Sequence, residues 1–433
     1  MNAALRSFES QWRARTPDAL QPIREQAMQR FLELGLPSLR DESWRYTDLR
    51  SVAAQSFAAA ACDARGTPDS SELSLLDSQQ PAATLTMMNG CPLLDTNLPI
   101  INGIEINSIR ELYKHDSRMM ARFFDTTASD ADQRRWVLLN TALFIDGLYL
   151  KITEPVPTPI VIRHVASGDG AQAGHPRIII DACPGASAVI IEHHVAPRDI
   201  SPLTNSNTHI ALARNARLEH YRVFASGAGA MHLDSLDIQQ SQDSACKQFT
   251  VALGGGLVRS SLEARLMERG ANLESYSLLV GHQDRHVDCV NIVAHAAPDT
   301  RSRQTARAIA GDVSRVIFNS KVIVEAGANG SDSNQSCRGL LLSPRAEIDT
   351  RPQLEIHADE VKCAHGATTG RLDPDMLFYL LSRGLDRETA QSLLVFAFLA
   401  DVLTGMSLTS ARSAIENALI SQLPDSQILR NFR

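Results

Sequence analysis

The middle of the chain carries the hydrophobic pattern of a β protein. Between residues 148 and 356, apolar residues recur in short runs separated by turn residues, and helical periodicity is almost absent. Short runs of this kind, bounded by Gly, Asn, Asp and Ser, are typical of strands. The pattern predicts strands at residues 160–163, 178–181, 188–192, 218–224, 247–253, 273–280, 287–294 and 315–324.

Several of the turns between these runs share one form. A Gly, Asn or Ser is followed by Ala, then by a small or polar residue, and soon by an apolar one. The form occurs at Gly185-Ala186-Ser187, Asn215-Ala216-Arg217, Ser244-Ala245-Cys246 and Gly270-Ala271-Asn272. It returns at intervals of roughly 25 to 30 residues, which suits one coil of a solenoid whose coils stack around a common interior. The pattern alone leaves a β-sandwich open as well.

Helices are predicted before this β region. Residues 18–34 place apolar side chains at close to helical spacing, and Gly35 supplies the stop. Residues 109–137 suit one or two further helices. Between them, residues 51–84 are rich in Ala, Ser and Asp, which predicts a weakly structured connector or a short helix followed by a loop.

Helices are also predicted after the β region. Asp373 is suited to be an N-cap with Pro374 at the first helical position, and Asp386 can cap a second helix. The second helix, through residues 390–403, is apolar around much of its circumference, so something must bury it. Packing within its own domain and docking of a partner subunit are both open on this pattern.

Composition indicates a globular protein with a large core. The 433 residues are 44% hydrophobic and 21% charged, with a net charge of −7 that gives no reason to expect nucleic acid as a partner. The first twenty residues lack the apolar core of a signal peptide, and the longest apolar run, residues 393–400, is too short to span a membrane. Seven scattered cysteines favour reduced thiols over a disulfide framework. We therefore expect a cytoplasmic protein.

The candidate chemistry lies at Cys363 and His365. They stand two apart in a strand-like alternation, so their side chains point the same way and could hold iron or a thiophilic ion. Spacing alone also fits a buried Cys beside a hydrogen-bonded His. Cys337 precedes Cys363 by about the length of one coil and would stack over the same strand if the coils were equal in length. For Cys337, an extra sulfur ligand and a small buried residue are both open.

The amino-acid sequence around these residues resembles that of the SufB/SufD family of iron-sulfur cluster assembly proteins. The segments that carry the resemblance are Pro352-Gln353-Leu354-Glu355-Ile356, Lys362-Cys363-Ala364-His365-Gly366-Ala367-Thr368, Phe378-Tyr379-Leu380, Ser382-Arg383-Gly384, Gly35-Leu36-Pro37, Trp44-Arg45-Tyr46-Thr47, Leu139-Asn140-Thr141-Ala142 and Asp146-Gly147. They span nearly the whole chain. Gly366 stands where SufB characteristically has Glu, so the chain is most similar to SufD. The region of Cys337 resembles the place where SufB carries its cluster-assembly Cys.

The resemblance implies a right-handed parallel β-helix at residues 141–370, between a mostly helical N-terminal region at 1–140 and a C-terminal helical domain at 371–433. It implies a SufD-like subunit that pairs with a SufB-like paralogue and forms an iron-sulfur cluster between the two. His365, Cys363 and Cys337 would then be the cluster-assembly or metal residues. A SufC-like ABC ATPase would dock on the C-terminal helices, with Leu380, Leu394 and Phe398 as contacts. A homodimer of the isolated chain and a flavin in the complex are also compatible with it.

Other chemistry is not indicated. Gly254-Gly255-Gly256 lacks the spacing of a P-loop, so the chain is not expected to hydrolyse ATP, and we expect a non-catalytic scaffold. Two alternatives differ from this interpretation. One is a structural spacer of the same complex without ligand chemistry. The other is a β-helix carbohydrate-active enzyme, which would need clustered carboxylates along one sheet face and usually secretion.

Overall fold

The structure is a computed structural model, and it describes residues 2–62, 81–93, 101–124, 134–168, 170–197 and 199–423. Residues 63–80 of the predicted connector lie outside the described residues. The α-helices in the described part are α1 Ala3–Arg13, α2 Gln21–Leu34, α3 Arg50–Ala54, α4 Ile109–His115, α5 Ser117–Ala121, α6 Arg135–Leu143, α7 Pro374–Ser382, α8 Arg387–Leu403 and α9 Thr409–Gln422.

Four strands precede α6 among the described residues, and the remaining strands lie between α6 and α7. The first are β1 Ala58–Ala59, β2 Ala83–Met88, β3 Cys91–Pro92, β4 Ile104–Ser108, β5 Leu148–Ile152, β6 Ile160–Val165, β7 Gln172–Gly174 and β8 Arg177–Ala182. Next come β9 Ser187–Val195, β10 Leu203–Leu212, β11 Arg217–Phe224, β12 Met231–Gln240, β13 Ala245–Ala252, β14 Leu257–Leu266 and β15 Asn272–Gly281. The last are β16 His286–His295, β17 Arg301–Ala310, β18 Arg315–Val324, β19 Asp332–Leu341, β20 Glu347–Ile356 and β21 Lys362–Gly370.

The strands form a parallel β-solenoid of about eight turns. This confirms the predicted β-helix and excludes the alternative of a β-sandwich. Sheet A, as described, runs in the order β20-β18-β16-β14-β12-β10-β8-β5-β4, with β1 and β7 beside it. Sheet B runs β21-β19-β17-β15-β13-β11-β9-β6-β2-β3. Each coil therefore gives one long strand to each sheet. Residues before 141 contribute strands as well as helices, because β2 pairs with β6 and β4 with β5.

The turns explain how the coils repeat. Gly185, Asn215 and Gly270 have φ angles of 75°, 60° and 76°, in the left-handed region that favours Gly and Asn. The alanine that follows each of them is fully buried inside the coil. At the fourth predicted turn the left-handed residue is Asp243, with φ 54°, and Ser244 takes the small buried position instead. The recurring form in the sequence is thus one left-handed residue followed by one small interior residue.

Helices cover the outer faces of both sheets. The aromatic side chains Phe8 and Phe31 of α1 and α2 pack with Leu233 on the outside of sheet A. Leu399 of α8 and its neighbours pack with Tyr221 and the other apolar residues on the outside of sheet B. Asp373 and Asp386 cap α7 and α8 as predicted, since their side chains accept hydrogen bonds from the first-turn N–H groups. None of the helices among the described residues is long and apolar enough to cross a membrane.

The N-terminal motif around Trp44 fastens the helical region to sheet A. The guanidinium of Arg259 on β14 lies 3.8 Å from the centroid of the Trp44 ring and donates to the carbonyl of Ser43 at 2.7 Å. The same guanidinium pairs with Asp288 on β16, which also accepts a hydrogen bond from Thr47. Stacking, ion pairing and hydrogen bonding therefore converge on one buried arginine.

Two cysteines differ from the expectation of reduced thiols. Cys62 and Cys91 form a disulfide, with their Cα atoms 5.6 Å apart. The expectation is wrong for this pair because the fold brings their segments together. The side chain of Asn89, in the turn between β2 and β3, donates to the carbonyl of Ala61 at 2.7 Å. The five remaining cysteines are free thiols.

Candidate functional site

The solenoid ends in an open coil, formed by β20 and β21 and called here the terminal coil. Among the described residues, each strand is the last of its sheet and pairs on one side only, β20 with β18 and β21 with β19. No residue of either strand is buried, although the strands of the preceding coils are largely buried. The terminal coil thus presents unpaired backbone N–H and C=O groups and the side chains that would otherwise face the interior.

Cys363 and His365 lie side by side on this open coil. Cys363 is the register partner of Ser333, and His365 is the register partner of Gln335, both of which are buried inside the preceding coil. Their side chains therefore face the solenoid interior, at the end of the solenoid that no further coil covers among the described residues. Cys363 is half-buried, and partial burial raises the pKa of its thiol. His365 is exposed.

Cys337 does not join them. It is the register partner of Ala367, four residues along β21 from Cys363, or about 13 Å at the usual rise of a strand. The reason is coil length, since the pairing of Ser333 with Cys363 makes this coil longer than the spacing between Cys337 and Cys363. Cys337 is 3% exposed, and burial raises the pKa of its thiol to about 12. It occupies the interior as a small apolar residue, and the three-residue grouping is not assembled.

A column of polar side chains leads through the interior to His365. Register pairing places its members directly above one another on successive strands of sheet B, and all except His365 are buried. They are His220, Gln248, Ser275, Gln304, Gln335 and His365. Several are hydrogen-bonded within the interior, as where Ser275 donates to Gln248 at 3.1 Å. His365 is therefore the solvent-facing end of an internal polar column.

Cys363 and His365 do not close a metal site by themselves. Among the described residues, the group of three or more His, Cys, Asp or Glu side chains arranged to hold one ion consists of His164, Glu192 and His194. Those three lie in the buried interior of early coils, far along the chain from β21. An ion bound at the terminal coil would need further ligands from outside this set.

The C-terminal helices divide into a buried face and an exposed face. Leu380 on α7 and Leu394 and Phe398 on α8 are all half-buried. Phe398 packs against the apolar cluster between α8 and sheet B, and the guanidinium of Arg307 lies 5.8 Å from its ring centroid. The apolar circumference of α8 is thus largely covered within this chain, by sheet B and by α9. Exposed apolar side chains lie instead on α7, where Phe378 is 71% exposed.

Comparisons with known proteins agree with this architecture. A model of the SUF system FeS cluster assembly SufBD core domain matches residues 164–398, and a model of the SufBD protein N-terminal region matches residues 5–162. The chain belongs to the SufB/SufD family. It is 28% identical over 398 residues to the iron-sulfur cluster assembly protein SufD of Escherichia coli strain K12, covering 91% of this chain and 90% of that protein.

Two further relatives have the same character. An iron-sulfur cluster assembly SufBD family protein of Synechocystis is 28% identical, covering 89% of this chain and 87% of that protein. SufD of Bacillus subtilis is 24% identical, covering 73% of each chain. The protein is therefore a SufD-type member of the family, which belongs to the SUF system of iron-sulfur cluster assembly. These findings do not support the alternative of a carbohydrate-active enzyme, and nothing in them supports the flavin that the resemblance allowed.

Proposed function

We propose that this chain is the SufD-like subunit of a cytoplasmic SUF scaffold, and that its terminal coil is the surface on which a SufB-like paralogue pairs. The observation that carries the proposal is the open coil itself. Long, flat, unpaired strand edges are a liability that native proteins cover or block. Here both edges stay open, next to Cys363 and His365, and a second β-solenoid could continue both sheets.

Ligand chemistry supports the same arrangement. Cys363 and His365 supply one sulfur and one imidazole nitrogen, which suit iron, but two ligands leave an ion or cluster incompletely held. A partner that stacks on the terminal coil would face both side chains and could supply the rest. A nascent cluster would then be assembled between the two subunits, and neither subunit would need to be an enzyme by itself.

The exposed side of α7 suits a separate partner, a SufC-like ABC ATPase. Met376, Phe378 and Tyr379 are 58%, 71% and 61% exposed and lie on one short helix. Apolar and aromatic side chains presented in this way are typical of interaction surfaces. Half-buried Leu380, Leu394 and Phe398 lie on the same pair of helices, and they would then support the docking surface from below or contribute to its margin.

Affinity purification from the native cytoplasm tests the proposal. The tagged chain, expressed at its native level and purified at low salt, should bring down a SufB-like protein and an ABC-type ATPase. Recovery of the chain alone, or only as a homodimer, would count against it. Recovery of the complex with full assembly activity despite loss of both Cys363 and His365 would favour the structural spacer.

Substitutions on α7 test the ATPase surface separately. Phe378→Asp should weaken ATPase binding and leave folding unchanged, because the side chain is mostly exposed before the change. Leu399→Asp is the contrast, since Leu399 is fully buried against sheet B and an unpaired carboxylate there should unfold the helical end. Circular dichroism and protease sensitivity measured with the binding assay separate the two effects. Normal ATPase binding by folded Phe378→Asp would reject α7 as the docking surface.

A further inference from the structure

A cavity of about 730 Å³ lies between the N-terminal helix and the first strands. Its walls come from α1 and the residues that follow it, from β1, and from the turn between β2 and β3. That turn lies at the end of sheet B opposite to β21, so the cavity is separate from the terminal coil. A volume between about 300 and 1,000 Å³ is usual for the binding site of a small molecule.

The walls formed by α1 and β1 are joined to each other. The side-chain amide of Gln11 donates to the carbonyl of Phe57 at 2.8 Å, and the backbone N–H of Phe57 donates to the hydroxyl of Ser7 at 3.2 Å. The rings of Phe8 and Phe57 stack with their centroids 5.8 Å apart. The disulfide described above ties the segment after β1 to β3. The cavity is therefore held in place by the fold, as most sites for small ligands are.

Arg15 brings a positive charge without a carboxylate partner to this cavity. Its Nη1 donates to the carbonyl of Leu143 at 2.7 Å, and within the described part of the chain no carboxylate lies at ion-pair distance from it. The carboxylate of Asp18 is near, but it pairs with Arg24 at 3.3 Å. Burial, together with the charges of Arg24 and Arg110, lowers the pKa of Arg15 to about 10. Arg15 is still protonated at neutral pH, and a half-buried cation of this kind is stabilised by an anion.

The other groups in the walls suit an anion with an apolar body. Among the described residues, the lining side chains that carry a full charge at neutral pH are Arg6 and Arg15, and both are cations. The exposed hydroxyl groups of Ser10 and Thr16 also line the cavity and make no hydrogen bond within the described part of the chain. Apolar surface comes from Ile145, which is 39% exposed, and from the exposed alanines of β1.

We propose that this cavity binds a small organic anion, in which a carboxylate or phosphate group is attached to an apolar body. The anionic group contacts Arg15 and Arg6 and accepts hydrogen bonds from their N–H groups and from the hydroxyls of Ser10 and Thr16. A guanidinium binds carboxylate and phosphate through the same paired donors, so the shared chemistry is the anionic head group. The apolar body covers Ile145 and the alanines of β1. The proposal does not depend on the function proposed above.

Binding of anilinonaphthalene sulfonate to the full-length chain tests the site. This fluorescent probe joins an anionic sulfonate to apolar aromatic rings, and phenylnaphthylamine has the same rings without the charge. Fluorescence titration should find a site that binds the sulfonate about tenfold or more tightly than the uncharged analogue. Octanoate or octyl phosphate should displace the probe from this site, and the stronger competitor identifies the head group. Displacement by neither compound would overturn the proposal.

Substitutions in the wall locate the probe. Arg15→Gln should weaken its binding about tenfold or more, because the unpaired positive charge is lost. Arg13→Gln is the matched control, since Arg13 is exposed, pairs with Glu9 and does not line the cavity. Ser10→Trp should also abolish binding, because the larger ring fills the cavity without changing its charge. Ser10 is exposed on α1, so this variant should fold and provides the test even if Arg15→Gln does not.

The exposed patch on α7 provides the contrasting site for the probe. Phe378→Asp should leave the binding that depends on Arg15 unchanged, and circular dichroism establishes that each variant is folded. Unchanged probe affinity in folded Ser10→Trp and folded Arg15→Gln would overturn the proposal. Equal affinity of the unchanged chain for the sulfonate and for its uncharged analogue would overturn it as well.

Discussion

The interior of the early coils and the terminal coil carry similar chemistry in opposite surroundings. His164, Glu192 and His194 occupy interior-facing strand positions and are sealed by the coils around them. Cys363 and His365 occupy equivalent positions, but no coil in the described part of the chain follows theirs, and His365 is exposed and Cys363 only half-buried. The position along the solenoid, more than the residue type, decides whether such a side chain is structural or open to a partner.

The loss of stability caused by a substitution should also differ between the two regions. Inside the solenoid, the guanidinium of Arg222 pairs with Asp234, and neither side chain is exposed. Removing one partner of a buried pair leaves an uncompensated charge. At the terminal coil, water can solvate whatever remains after a substitution. Substitutions in the interior should therefore cost more stability than substitutions at the open end, where the main losses should be in binding.

Asp234→Ala should reduce the free energy of unfolding by about 3 to 5 kcal/mol, because Arg222 would be left buried without its carboxylate. His365→Ala, at the open end, should change it by less than about 0.5 kcal/mol. Urea unfolding followed by circular dichroism compares the variants. Equal destabilisation by both substitutions would show that the terminal coil is as tightly packed as the interior.

Ala367→Arg should weaken association with the SufB-like partner about 100-fold or more, because it places an unpaired charge on the face that we propose is covered. Asn334→Arg is the control, since Asn334 is exposed on the outer face of the preceding strand. Equilibrium binding of the purified subunits measures both. The pairing surface lies elsewhere if the two variants bind with the same affinity as the unchanged chain.

His365→Ala and Cys363→Ser should each lower the iron retained by the assembled complex about tenfold or more, while complex formation and ATP hydrolysis continue. Cys337→Ser should have no such effect, because Cys337 is buried four residues away in register from Cys363. Iron content and recovery of iron-sulfur enzyme activity in cells that lack the native copy are the measurements. A defect in all three variants would restore the three-residue grouping that the register excludes.

The smallest effect concerns thiol reactivity. Cys363 should be alkylated faster than Cys337 in the folded chain, since Cys337 is nearly inaccessible and burial raises the pKa of its thiol to about 12. Because partial burial raises the pKa of Cys363 as well, its alkylation rate should still be rising with pH above about 8.5, the ordinary thiol value. Rates at several pH values, read by mass spectrometry, check this. A midpoint below the ordinary value would mean an activated thiolate.

Apolar alternation predicted part of the solenoid well. The strand at residues 178–181 has the aliphatic interior side chains Ile178 and Ile180, whereas in the strand at residues 218–224 the apolar side chains of Tyr221 and Val223 lie on the outer face of sheet B. Strands β10 and β12 were missed. Their interior positions include Ser206, Thr208 and Asp234, so the alternation that marks a half-buried strand is absent. Hydrophobic alternation does not predict strands whose interior side chains are polar and hydrogen-bonded between coils.

Contacts between coils depend on coil length, which the sequence does not give directly. Cys337 was placed by its sequence distance from Cys363, but the coil is longer than that distance, because Cys363 pairs with Ser333. His193 and His194 are adjacent on a strand and so face opposite sides of it, but the partner of His194 on the preceding coil was not predicted. The signal was present, because His164 lies one coil before His194 and is its register partner. Once one coil length is known, such pairs can be found.

Cross-linking within the native complex tests the central claim most directly, namely that the terminal coil is covered by a SufB-like partner. Lys362 is exposed at the start of β21, and Lys114 is exposed on α4. An amine-reactive cross-linker and mass spectrometry should join Lys362 to the SufB-like subunit and leave Lys114 without a link to it. Cross-links to that subunit from Lys114 but not from Lys362 would contradict the account.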